Sequence, residues 1–132
     1  MSERSEDNEH RHFTRIPFDA DVEVRRTEEP DSMPRHARLL DICLKGALFT
    51  RPADWNGRAG DRVHVEIRLD DAAITIAMDG RVVHAGDERV GFTWDQLDVD
   101  SATHLHRLLE LNLGDSALLE REFHELLNFT PR

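Results

Sequence analysis

The feature that most constrains this chain is a two-residue alternation running from Phe18 to Asp95 and interrupted by turn residues. Val22 and Val24 alternate with Glu23 and Arg25, and Val63, Val65, Ile67 and Leu69 alternate with His64, Glu66 and Arg68. A period of two puts every second side chain on one face, which is the signature of a half-buried strand. Strands follow at 37–43 and 47–51, separated by Leu44-Lys45-Gly46, where glycine permits a positive φ. Ile74, Ile76, Met78 and Val82-Val83 continue the sheet, with Gly80 as a bulge, and Val90 to Trp94 closes the set. Thr27–Pro34, Pro52–Gly60 with its Asn56-Gly57, Asp70-Asp71 and Gly86-Asp87-Glu88 are the connections. About six short antiparallel strands favour closure into a small barrel, because closure removes exposed edges.

The period changes after residue 100. Leu105, Leu108, Leu109 and Leu113 recur at helical spacing after Asp100-Ser101, which we expect to cap the helix, and Gly114 ends it. Asp115 or Ser116 can cap a second helix carrying Leu119, Phe123, Leu126 and Leu127 on one face. The expected fold is therefore mainly β, a six-stranded antiparallel barrel with C-terminal α-helices. Residues 1–10 are charged and polar with nothing to bury, and we expect a mobile arm there. Residues 11–132 form one domain, with the barrel at about 18–95 and the helices at about 100–128. Phe13 and Ile16 are the candidate anchors of the arm.

Charge narrows the function. Asp and Glu number 27 against 17 Lys and Arg, a formal net charge of -10. A general grip on DNA or RNA backbone needs a basic face and is disfavoured. A local cationic site remains open, since fields are screened over roughly 10 Å. All the basic residues except Lys45 are Arg, the side chain suited to forked contacts with phosphate and base edges. The single cysteine, Cys43, excludes an internal disulfide and fits a reducing, cytoplasmic setting. The N-terminus has no apolar signal region, and the longest apolar run, 72–78, is too short to span a bilayer. CxxC, P-loop, GxSxG, HExxH and GxGxxG patterns are absent, so we assign no catalytic residue and no metal site. His10-x-His12 and His104-x-His106 lack the i,i+4 spacing of helical zinc ligands.

Two short motifs remain, Arg11-x-x-x-Arg15 ahead of the first strand and Asp41-x-Cys43-x-x-Gly46 at a strand-to-strand turn. In this order, before a six-stranded pattern, they resemble the PilZ domain, a bacterial receptor for cyclic di-GMP. The family pattern is R-x-x-x-R followed by [D/N]-x-S-x-x-G, and Arg11, Arg15, Asp41 and Gly46 match four of its five fixed positions. The 54–57 loop, the Val90-Gly91-Phe92 strand and the 109–115 helix junction look like a stand-alone subfamily that ends in helices. The resemblance implies a non-catalytic receptor with cyclic di-GMP as ligand and no cofactor. It also implies adaptor action on a partner protein whose identity is not legible.

The residue chemistry suits such a ligand. An Arg can fork onto O6 and N7 of guanine, a contact worth about 1–3 kcal/mol of base discrimination. It can also pair with phosphate or stack on a purine. Asp41 supplies an acceptor for the guanine N1–H and N2–H2 edge, and Gly46 permits close backbone approach. Asp41 can equally cap its own turn. Cys43 replaces the family Ser, exchanging a good hydrogen-bonding group for a weak one at a loss of roughly 0.5–1.5 kcal/mol. His10 and His12 stand where relatives often carry extra Arg, and His84 stands where relatives can place a stacking aromatic. These three departures leave an alternative open, a PilZ-like interaction module with weak or lost nucleotide binding.

Overall fold

The computed structural model describes residues 13–29, 33–69, 73–114 and 116–128. Among the described residues seven strands lie in chain order: β1 (Ile16–Pro17), β2 (Asp21–Arg26), β3 (Arg35–Ile42), β4 (Gly46–Thr50), β5 (Arg62–Leu69), β6 (Ile74–Ala85) and β7 (Arg89–Leu97). Two helices follow, α1 (Val99–Leu113) and α2 (Ser116–Asn128). All pairings are antiparallel, in the order β1-β3-β2-β5-β6-β7-β4, and a β3–β4 pairing closes the cylinder. Six strands make the closed barrel. β1 adds a seventh, two-residue strand on β3 at Ile42 and Asp41, beyond the stretch of β3 that pairs with β2.

The alternation does what its period requires. Val22, Val24, Val63, Val65, Ile67, Ile76, Met78, Val82, Val90 and Phe92 all point into the barrel. Leu39, Ile42, Ala47 and Phe49 complete that core. Full burial of such side chains contributes about 1.5–3 kcal/mol each before the entropy of ordering is counted. Gly80 marks a register shift in the β6–β7 ladder, as the sequence suggests.

The helices close one end. Leu105, Leu108 and Leu109 of α1 join the core. The Ser101 hydroxyl accepts from the Ala77 N–H at 2.9 Å, so α1 covers the part of β6 that extends past its pairing with β7. The α1 cap is Asp98, two residues before the expected one. Its carboxylate accepts from the Ser101 N–H at 2.7 Å, and Ser101 itself is buried within the first turn. Gly114 ends α1 with φ 69°, a left-handed value that glycine adopts at no steric cost. On α2 the inward face is Leu119 and Glu122, while Phe123 sits at the rim, 43% exposed and edge-on to His106.

Glu122 explains that departure. It is a carboxylate in an apolar stripe, and it accepts from both the N–H and the hydroxyl of Thr14. The helix is rotated to bring that acceptor to the chain just before β1. Phe13 and Ile16 flank the contact and are buried at 1% and 7% exposure, so both expected anchors are in the core. The segment leading into the barrel is fixed from residue 13 onward.

Candidate functional site

The five residues singled out with the strongest pattern fall partly within the described structure. Arg11 lies outside it, as do His10 and His12. Arg15, Asp41, Cys43, Gly46 and His84 lie within it.

Arg15 is exposed between Thr14, held by Glu122, and Ile16, held in the core. Two residues on, Pro17 is the register partner of Asp41. Paired residues in an antiparallel ladder project to the same side. Pro17 and Asp41 therefore share a side at the β1–β3 edge, and exposed Arg15 lies two residues before Pro17. Arg15 makes no ion pair with any described residue.

The register carries this face around the barrel. Asp41 pairs with Leu48, Leu48 with Gly91, and Gly91 with His84. Pro17, Asp41, Leu48, Gly91 and His84 thus form one outward row across five strands. In the closed ring of six strands β3 and β6 are three steps apart in either direction, so Asp41 and His84 face opposite sides of the barrel. At the β1–β3 edge, exposed Arg15 stands two residues before Pro17, the register partner of Asp41, and a guanidinium and a carboxylate offered there can meet phosphate and guanine N–H groups.

The turn between β3 and β4 is built differently from the sequence expectation. Cys43 is 2% exposed, and the backbone N–H groups of Lys45 and Gly46 lie toward its thiol and favour its charged form. Burial pushes its pKa up to about 11, against the pull of those two amides. These amides face the sulfur, so the Asp41 carboxylate is the outward polar group of the motif. Gly46 has no positive φ; among the described glycines that belongs to Gly60 and Gly114. Its requirement is space. A Cβ at Gly46 would lie 2.0 Å from the Phe92 carbonyl oxygen, because β4 packs directly against β7 there.

Sequence reasoning did not single out Trp94 and Lys45, which hold this turn. The Trp94 N–H donates to the Lys45 carbonyl at 3.1 Å, and its indole Nε1–H donates to the Leu44 carbonyl at 2.9 Å. The Thr93 hydroxyl adds a contact to the Lys45 carbonyl at 3.2 Å. Lys45 reciprocates: its Nζ donates to the Trp94 carbonyl at 2.8 Å and stands 4.5 Å from the indole centroid. The available signal was Lys45 itself, the sole lysine, placed inside the motif.

A second polar cluster occupies the outer face of β2, β5 and β6. Arg68 bridges Glu23 and Glu66, which are register partners and would otherwise repel. His64 sits between Asp79 and Glu66, at 2.9 and 3.0 Å. Burial works against its charge, but the hydrogen bonds and charges of Asp79 and Glu66 prevail and raise its pKa. No group of three His, Cys, Asp or Glu suited to a metal ion occurs among the described residues, and no described helix is long and apolar enough to cross a membrane.

Comparison with known proteins adds to this geometry. The PilZ domain model matches residues 9–111. The PilZ domain of CeSA from a cellulose-synthesizing bacterium is similar at TM-score 0.57 and 21% identity, over 76% of this chain and 96% of that one. The PilZ domain of YcgR from Escherichia coli, solved with c-di-GMP, is similar at TM-score 0.56 and 17% identity, over 88% and 95%. The inhibitor of motility MotI/DgrA of Bacillus subtilis is similar at TM-score 0.58 and 14% identity, over 88% of this chain but only 50% of its own length. At these identities the structural likeness speaks for the fold.

Proposed function

Because this chain belongs to the PilZ domain family, we propose that it is a non-catalytic receptor for cyclic di-GMP that acts on a partner protein. The observation that supports the reading is the register: exposed Arg15 lies two residues before Pro17, which pairs with Asp41, the carboxylate of the second motif. The E. coli neighbour solved with c-di-GMP supports the ligand class. Arg11 and Arg15 take phosphate or a guanine edge, and Asp41 accepts from guanine N–H groups. His84 on β6 is the weaker candidate for stacking on a base, since β6 lies across the barrel from Asp41; His10 and His12 add positive charge as the pH falls. Gly46 and Cys43 serve the ligand by shaping the turn. The segment carrying Arg11 becomes ordered over the barrel when the ligand arrives, and the partner reads the new surface.

Calorimetric titration of cyclic di-GMP into wild type and Arg15→Ala tests this. Wild type gives heat, and the variant binds at least about tenfold more weakly, as expected for loss of a charge-assisted contact of 1.5–3 kcal/mol. No heat from wild type, or undiminished binding by the variant, defeats the proposal.

One observation favours a second reading. The Cys43 sulfur is turned inward and engaged by its own turn, so the family's Ser position offers nothing outward. On that reading the chain is an interaction module without useful nucleotide affinity. Partner capture unaffected by the dinucleotide then accompanies a silent titration.

A further inference from the structure

We propose that Lys45, although it is a cation inside the binding motif, serves as one half of a clasp with Trp94, and that Trp94 is a positioning residue for the ligand site. The inference rests on the receptor reading above. It assigns roles to two residues which that reading leaves out.

The geometry points away from a ligand role for Lys45. Its ammonium is committed to the Trp94 carbonyl and to the face of the indole. Its own carbonyl is taken by Trp94 N–H and the Thr93 hydroxyl. The indole N–H closes the loop on Leu44. A planar trans peptide sends its N–H opposite to its C=O. Anchoring the Leu44 and Lys45 carbonyls on β7 therefore turns the Lys45 and Gly46 amides toward the Cys43 sulfur, where they are found. Sulfur is a weak acceptor and cannot set this orientation alone. The clasp sets it from the other side. Cys43 N–H to Gly46 carbonyl, at 3.0 Å, then closes the end of β3 on β4. Asp41 lies two residues upstream in the same β3 segment, paired with Leu48 of β4. The clasp thus fixes the strand junction from which Asp41 projects.

A double-mutant cycle read by cyclic di-GMP affinity tests this. Trp94→Phe keeps the ring and loses the indole donor; Lys45→Met loses the ammonium and keeps most of the stem. Trp94→Phe weakens binding by about two- to tenfold, the range for one net hydrogen bond. Lys45→Met weakens it too, and the double variant is no worse than about twice the weaker single, because both break one unit. The salt dependence of affinity is unchanged in Lys45→Met, since no phosphate contact is lost. Ile67→Val, a core truncation on β5, lowers the melting temperature and leaves affinity alone, which separates positioning from general destabilisation.

Wild-type binding with both single variants unaltered overturns this inference and leaves the receptor reading standing. Fully additive losses, or a shallower salt dependence in Lys45→Met, overturn it in favour of Lys45 as a phosphate ligand. A silent wild type overturns both.

Discussion

Replacing Gly46 by alanine should force β4 and β7 apart and destabilise the barrel. A Cβ there lies 2.0 Å from the Phe92 carbonyl oxygen and 3.1 Å from the Thr93 Cα, both backbone atoms that no rotamer change can move. Ordinary contact begins near 3.4 Å. β4 and β7 must then part by about 1.4 Å at that point, which takes a hydrogen bond of about 2.9 Å out of range. Overpacking of this kind costs about 1–3 kcal/mol, and each ladder bond lost adds about 0.5–1.5 kcal/mol. The sum is about 3 kcal/mol. For a chain of this size that lowers the melting temperature by about 10 °C. Scanning calorimetry or thermal circular dichroism measures it. A variant melting within about 2 °C of wild type would show that β4 and β7 are not packed as described, and the reason given for this glycine would be wrong. The sign matters for function as well. Loss of ligand binding in Gly46→Ala would report a spread strand pair and not a missing contact.

Two further predictions concern ionisation. His64 has its pKa raised in the fold, so its stabilising contribution is complete below the unfolded value of about 6.5 and is lost as the pH rises through the folded value. The melting temperature of wild type minus that of His64→Gln should therefore fall as the pH rises above about 6.5; a flat or rising difference refutes the assignment. Cys43, buried and with its pKa pushed up to about 11, should react with iodoacetamide at pH 8 more than roughly a hundredfold slower in the folded protein than in denaturant. Comparable rates would place the thiol at the surface.

The barrel was legible because its signal is local. Period-two runs such as 63–69 declare both strand and inward face, and the structure buries Val63, Val65 and Ile67 as written. The features that sequence missed are those in which distant residues decide. β1 is two residues long and exists because β3 offers an edge to it. The cap of α1 moved to Asp98 because Ser101 is needed inside, against Ala77. Glu122 interrupts the apolar face of α2, and only its partner Thr14, 108 residues earlier, explains why that face turns inward. The barrel closes through the β3–β4 and β4–β7 pairings, the second of which joins strands far apart in the chain. Residue types could suggest Asp41 and His84 as candidates, but no spacing rule could show that their strands lie on opposite sides of the barrel.

The fixed root of the N-terminal segment changes the energetics expected of the receptor. A wholly loose arm would have to order every residue it uses, at about 1–2 kcal/mol of backbone entropy each. Phe13 and Ile16 are buried and Thr14 is bonded to Glu122, so the backbone of Arg15 is already placed on folding. Only its side chain remains to be immobilised, at up to about 2 kcal/mol. A charge-assisted contact of about 1.5–3 kcal/mol from Arg15 can offset that cost unaided. Arg11 lies two residues ahead of Phe13, so recruiting it adds little chain beyond the root. In the proposed receptor the two arginines would act unequally: Arg15, whose backbone is already placed, would supply base affinity, and Arg11 would couple affinity to ordering of the segment. A ligand that engages Arg15 alone would bind without changing the surface a partner sees.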